Sequence, residues 1–335
     1  MAFMTLNRIA AVALLAAAGA AQAVPVIDFG AANGYSGFFF GNVTNAADVE
    51  GRLAVGGDLT NGFDIGYRNA YGSTAPSLVV GGNVTMTHGM VYNGPTYDVD
   101  TNATIGPSTA PWIPGQLNTG DIVYGGTLQA ADWQYKTATK NANYLDFAAA
   151  KSQLGGLSNS LASEAANGSF SVVGGGVSLV GDGTSDVQVF NLGDTALTNL
   201  SLSNIKAGAH IVINSTLTNV TFAGDFGGDK GDSTDPLASF RDRIVFNLVN
   251  ATSVNVNTFV NGSVLAVNAA VSGSGHLEGM LIADSLGADA DGRKLEIGYE
   301  HFTPTSPVPE PQTYAMLMAG LLTVGTLARR RRQSR

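Results

Sequence analysis

A seven-residue phrase that occurs twice constrains this 335-residue chain more than any other feature. It reads Ala54-Val55-Gly56-Gly57-Asp58-Leu59-Thr60 and returns 25 residues later as Val79-Val80-Gly81-Gly82-Asn83-Val84-Thr85. Looser echoes follow at Val123-Tyr124-Gly125-Gly126-Thr127-Leu128 and Val172-Val173-Gly174-Gly175-Gly176-Val177. Short apolar strands separated by glycine corners at this spacing predict stacked coils, each giving a strand to a parallel sheet.

In the second half an asparagine ends each apolar strand: Gln188-Val189-Phe190-Asn191, Ile211-Val212-Ile213-Asn214, Ile244-Val245-Phe246-Asn247 and Leu265-Ala266-Val267-Asn268. The intervals are 23, 33 and 21 residues, and the longest contains the polar stretch from Gly224 to Asp235, expected as a loop bulging from one coil. Asparagine tolerates left-handed corners, and stacked amides hydrogen-bond between coils, so these four are read as structural. One helix is expected between the halves, at about residues 144–166, where Phe147, Ala150, Leu154, Leu157, Leu161 and Ala165 form an apolar stripe and Gly168 acts as a stop. Gly155 and Gly156 inside it cost about 1 kcal/mol each relative to alanine, so the helix needs a surface to pack on. The predicted fold is mainly β: a parallel β-helix or solenoid with one long α-helix lying lengthwise along it.

Composition agrees with many short strands and tight turns, with 43 glycines and only 13% charged residues. There is no cysteine, so stability comes from burial and backbone pairing. The formal net charge is −9 and becomes more negative when the arginine-rich ends are set aside, which argues against nucleic acid or an anionic membrane surface as a partner.

The two ends predict export. Arg8 precedes an apolar run from Ile9 to Ala21, and Ala21-Gln22-Ala23 fits a signal peptidase site, which makes residues 1–23 a cleavable leader. At the other end Pro309, Glu310 and Pro311 precede an uncharged segment, 313–328, which Arg329, Arg330, Arg331 and Arg332 close. As a helix those 16 residues reach about 24 Å, short of the roughly 30 Å of a bilayer core, which makes a marginal transmembrane anchor. The arginines stay on the cytoplasmic side. This order of parts resembles the PEP-CTERM sorting signal. The resemblance implies recognition and processing of residues 307–335 by an exosortase, transient anchoring in the inner membrane of a Gram-negative bacterium, and release to the cell surface or extracellular matrix.

Residues 24–306 form the expected exported domain. From Phe38 to about Phe302 the chain resembles a choice-of-anchor A domain. The resemblance rests on Asp48-Val49-Glu50-Gly51-Arg52-Leu53-Ala54-Val55-Gly56-Gly57, Leu145-Asp146-Phe147-Ala148-Ala149-Ala150, Ile211-Val212-Ile213-Asn214, Phe246-Asn247 and Gly262-Ser263-Val264-Leu265-Ala266. It departs at Val267, where members carry proline, and at Glu300-His301-Phe302, an approximate form of their closing phrase. The domain is similar, more distantly, to ice-binding solenoids with a helix packed alongside. The resemblance implies a surface-exposed domain and supplies no catalytic residues.

No Gly-x-Ser-x-Gly elbow, His-x-x-x-His pair or P-loop is present, and His88, His210, His276 and His301 are far apart in sequence. No catalytic set is therefore expected, and no cofactor beyond calcium, for which Asp225, Asp229, Asp232 and Asp235 crowd one glycine-rich loop. Threonine pairs, Thr85 with Thr87 and Thr216 with Thr218, suit one face of a strand but do not recur in register. The sequence thus predicts a non-enzymatic surface or matrix adhesion protein whose partners, beyond signal peptidase and exosortase, are exopolysaccharide or a cell-surface component. The alternatives are a polysaccharide-cleaving β-helix enzyme, with aspartates converging beside Arg241 or Arg243, and an ice or crystal binder.

Overall fold

Short runs of β-branched and apolar residues closed by glycine or asparagine fold as strands buried on both faces, which is why they read as unbroken apolar runs. The computed structural model describes residues 25–70, 73–94, 118–229 and 234–305. The chain divides into a unit spanning Ile27–Pro304 and a second made of the segments up to Val26 and from Thr305. In the second, the Thr305 hydroxyl lies 3.4 Å from Pro25 O. The leader, the sorting tail and its apolar segment lie outside the described residues. No described helix is long and apolar enough to cross a membrane.

The main ladder of the larger unit is parallel throughout. Its spatial order is Val187–Asn191, His210–Ser215, Ile244–Leu248, Ser263–Gly273, Leu281–Leu286, Gly37–Phe39, Leu53–Val55, Leu78–Val80, Ile122–Tyr124 and Ala138–Lys140. The chain therefore enters in the middle and climbs to one end at Ala138–Lys140. It runs back through a helix, restarts at the far end with Val187–Asn191, and returns to lie beside its own beginning. Leu53, Val55, Leu78, Val80, Ile213 and Phe246 point into a common apolar core.

The two copies of the opening phrase stack directly, with Ala54 opposite Val79 and Val55 opposite Val80, and the echo at Val123-Tyr124 pairs next. Their glycines are needed because the corners approach too closely for any side chain. A Cβ on Gly57 would lie 2.2 Å from Asn42 Oδ1, and one on Gly82 would lie 2.2 Å from Asp58 Oδ1. The fourth echo is different. Gly174 (φ +59) and Gly175 (φ +84) turn an antiparallel hairpin of Ser169–Val173 with Gly176–Val180, so that phrase is no coil corner. Two successive left-handed residues match the twist of a two-residue hairpin turn, which glycine adopts at little cost.

Helix α1, Phe147–Ser163, lies along the ladder and buries Ala150, Leu154, Ser158 and Leu161. It starts where Asp146 Oδ1 accepts Ala149 N–H at 2.9 Å. It is shorter than the 144–166 expected from sequence, because the backbone becomes extended at Glu164 and leaves Ala165 exposed. Gly168 lies beyond the end and packs on Phe190, with its missing Cβ direction only 2.2 Å from the ring. Gly155 and Gly156 have nothing within 4 Å of an added Cβ. Each alanine substitution there is expected to stabilise the protein by about 0.5–1 kcal/mol, read as a higher urea midpoint.

The asparagines fasten this helix. Asn191, Asn214 and Asn247 occupy one column of the ladder, and each amide donates to the next, from Asn247 to Asn214 Oδ1 at 2.8 Å and from Asn214 to Asn191 Oδ1 at 2.8 Å. The same nitrogens donate to helix carbonyls: Asn247 to Ser158 O (2.8 Å), Asn214 to Leu161 O (2.8 Å) and Asn191 to Glu164 O (2.9 Å). Three helical residues rise about 4.5 Å, close to the roughly 4.7–4.9 Å between rungs, so helix and ladder stay in step. Asn268 does not join them. Leu265 takes the next place in the column, and a register shift between Ala266 and Ala270 leaves Asn268 exposed. The left-handed corners belong to other asparagines, Asn61, Asn199 and Asn204.

Candidate functional site

A second side of the stacked coils is lined by triplets with an apolar centre, six of the eight flanked by polar residues on both sides. In a strand, residues i and i+2 share a face, so each triplet buries its centre and presents two side chains outward. The inward centres, in spatial order, are Val220, Val254, Val271, Leu286, Val43, Leu59, Val84 and the half-buried Leu128, each paired with the next in parallel. One outward column is therefore Asn219, Ser253, Ala270, Ser285, Asn42, Asp58, Asn83 and Thr127. The other is Thr221, Asn255, Ser272, Gly287, Thr44, Thr60, Thr85 and Gln129. Eight rungs span about 33 Å at ordinary strand spacing.

This face is nearly uncharged, Asp58 being the exception, and parts of it are held rigidly. Asn42 Oδ1 accepts Asp58 N–H (2.8 Å), Asp58 Oδ1 accepts Asn83 N–H (2.7 Å), and Asn83 Oδ1 accepts Thr127 N–H (2.9 Å). Each side chain thus satisfies a corner amide of the next coil, which fixes its rotamer. The sequence pairs Thr85 with Thr87 and Thr216 with Thr218 are not the repeating element. The stacked threonines are instead Thr44, Thr60 and Thr85, the last residues of successive triplets.

A third side has the opposite character. Its parallel rungs, in order, are Phe259–Asn261, His276–Glu278, Glu296–Ile297, Asp48–Val49 and Asp64–Ile65. Val260, Leu277, Ile297, Val49 and Ile65 point into the core, leaving His276, Glu296, Asp48 and Asp64 half-buried on the other side of the strands, with Glu50 and Glu278 buried among them. Arg68 Nη1 donates to Glu50 and to Glu278 Oε1 (3.0 Å). Tyr67 OH donates to Glu50 Oε1 at 3.0 Å. Arg241, only 3% exposed, sits 4.0 Å from Glu278 Oε1 and 3.6 Å from Glu300 Oε2. The acids that converge beside Arg241 are thus mainly glutamates, with Asp229 at 3.9 Å. Arg243 pairs instead with its neighbour Asp242.

Asp48 in this cluster is pushed up to about 7, by burial first and then by Glu296 and Glu50. Its folded value lies above the roughly 4 of an unfolded aspartate, so the folded state retains a proton between about pH 4 and 7, and stability falls as pH rises through that window. His301, half-buried and lowered to about 4 by desolvation and Arg52, acts in the opposite direction, which makes a variant the proper reference. Asp48→Asn is expected to gain in Tm over the parent between about pH 5 and pH 8 in thermal melts. A difference that stays constant across that range contradicts this assignment.

Two aspartates of the glycine-rich loop accept backbone N–H groups close by in sequence. Asp225 Oδ1 accepts Gly227 N–H, and Asp235 caps a short helix, Pro236–Ser239, through Leu237 N–H while also accepting Gly228 N–H. Asp232 lies outside the described residues. Among the described residues, one trio of candidate ligands brings its atoms within 4.8 Å of one another: Glu50, His276 and Glu278. His88, His210 and His301 stand apart from it; His210 faces Thr303 O at 2.8 Å, and burial lowers its pKa.

A family model described as an ice-binding-like adhesive domain matches residues 28–293, which cover most of the chain, the whole polar face and the charged side up to its rung Glu296–Ile297. The chain belongs to this adhesive domain family. A second model, the PEP-CTERM protein-sorting motif, matches residues 307–332, which include Pro309 to Pro311 and the four arginines. The sorting motif indicates an exported, transiently membrane-anchored protein of Gram-negative bacteria and implies its processing by an exosortase. No curated protein and no solved structure matches the chain.

Proposed function

We propose that the protein is a β-solenoid adhesin of the cell surface or matrix that works without catalysis, by presenting its uncharged polar face to extracellular polysaccharide. The carrying observation is the eight-rung double column made mostly of hydroxyl and amide side chains, with Ala270 and Gly287 as gaps and Asp58 as its one charge, on an acidic chain. Such groups both donate and accept, as sugar hydroxyls do, and a β-scaffold that already fixes them loses little entropy on binding. The sorting motif supports delivery to the place where such polymers accumulate. The test is to fractionate producing cells and to measure binding of the purified exported protein to their own polysaccharide. Saturable binding with surface or matrix recovery is expected, and confinement to the cytoplasm overturns the reading.

A second reading, glycan cleavage, is favoured by the grouping of Asp48, Glu50 and Glu296 on adjoining rungs, where burial and the neighbouring acids push the Asp48 carboxyl up to about 7, toward the range of a general acid. The adhesive reading predicts no reducing ends or unsaturated sugars released from a glycan panel. Ice or crystal binding is favoured by the column Thr44, Thr60 and Thr85, which Gly287 and Gln129 interrupt. The adhesive reading predicts no thermal hysteresis.

A further inference from the structure

The geometry points to a metal site on the charged side: Glu50, His276 and Glu278 hold one late first-row divalent cation of the zinc class, and Glu296 orients the histidine. Their ligand atoms lie within 4.8 Å of one another. They meet because Gly298 occupies the rung between Glu278 and Glu50 and supplies no side chain. A Cβ there would lie 2.3 Å from Glu278 Oε2 and 3.0 Å from His276 Nε2.

The histidine provides the independent observation. Its Nδ1 lies 3.3 Å from Glu296 Oε1, and its ring is held against Phe259 at a centroid distance of 4.9 Å. A proton on Nδ1 facing Glu296 leaves a lone pair on Nε2. That Nε2 atom is buried, has no hydrogen-bond partner, and faces Glu278 Oε1 at 3.8 Å. A lone pair opposed to a carboxylate favours a cation between them, beside the Arg68 guanidinium that already donates to Glu278 Oε1 at 3.0 Å. Two ligands bound at about 2.0–2.2 Å to one tetrahedral zinc ion lie roughly 3.3–3.6 Å apart, so this gap closes on the ion by a few tenths of an ångström. The pattern of carboxylate, histidine and metal is how a ligating imidazole is normally held.

Charge and donor type narrow the ion. Glu50, Glu278, Glu296 and Glu300 against Arg68 and Arg241, the latter 4.0 Å from Glu278 and 3.6 Å from Glu300, leave two negative charges. A divalent cation completes the balance. Imidazole nitrogen favours zinc and its neighbours over calcium, which prefers six to eight oxygens.

The exported protein, stripped of metal, is titrated with zinc chloride by calorimetry, with calcium chloride in a parallel arm, and bound zinc is counted after gel filtration. One zinc per chain is expected, with no calcium uptake at the same concentrations. His276→Ala should weaken zinc binding at least a hundredfold, and Glu296→Gln about tenfold, as loss of a supporting group does. Both side chains are partly exposed, so both variants should fold, which circular dichroism checks. Absence of zinc binding by the parent, a calcium preference, or undiminished binding by His276→Ala overturns the proposal.

Discussion

Asn247→Leu is expected to destabilise the protein by roughly 3–5 kcal/mol, read as a large fall in the urea midpoint with an unchanged slope. Asn247 is fully buried and makes three bonds: to Ser158 O, to Asn214 Oδ1, and from Ser158 Oγ at 2.6 Å. Leucine is of similar size and already occupies the adjacent rung as Leu265, so the cost isolates the polar term. Two partners, Ser158 Oγ and Asn214 Oδ1, are left without that bond in a place water does not reach, at about 1–3 kcal/mol each. Adding Ser158→Ala removes one orphan and should restore part of the loss. A single-variant change below about 0.5 kcal/mol would show that the amide column does not fasten the helix.

Gly56→Ala is expected to cost about 3 kcal/mol or more, although it adds one methyl group. Its Cβ would lie 2.4 Å from Phe40 O and 3.1 Å from the Phe147 ring. The first contact is with backbone, which cannot rotate away, so two coil corners must separate and disturb the pairing of Phe39 with Val55. The same substitution at Gly155 meets nothing within 4 Å and should stabilise the protein. Opposite signs for one chemical change, measured by urea unfolding, would locate the effect in the stacking of corners. Equal effects would contradict the close approach.

Much of this architecture is legible in the sequence where the repeat is strictest. The phrases at Ala54 and Val79 share strand, corner and register, and Asn191, Asn214 and Asn247 mark their column because each terminates an apolar run. Val172 to Val177 imitates the phrase in composition alone. Two successive left-handed glycines turn a hairpin there, and composition carries no dihedral angle. Asn268 imitates the asparagine column in the same way, displaced by a bulge that local sequence does not announce.

The polar face left a weaker trace. Its triplets, such as Asn83-Val84-Thr85 and Asn219-Val220-Thr221, look like ordinary half-buried strands, and intervening loops of unequal length hide their alignment. The charged cluster was the least accessible feature. Glu50 and Glu278 are 228 positions apart in sequence and meet only because the ladder begins in its middle, with Gly37–Phe39 paired to Leu281–Leu286. A reading that orders coils as the chain does sets those residues at opposite ends.

Binding of the exported protein to the producer's polysaccharide, compared among arginine variants, tests the central claim most directly. Thr44→Arg, Ala270→Arg and Thr221→Arg place bulk and charge at exposed positions on three different rungs of the polar face, while Ser152→Arg and Asn159→Arg do so on the exposed side of α1. The account predicts that the three face variants keep the parental Tm and lose at least tenfold in affinity, whereas the helix variants bind as the parent does. Undiminished binding by all three face variants would contradict it.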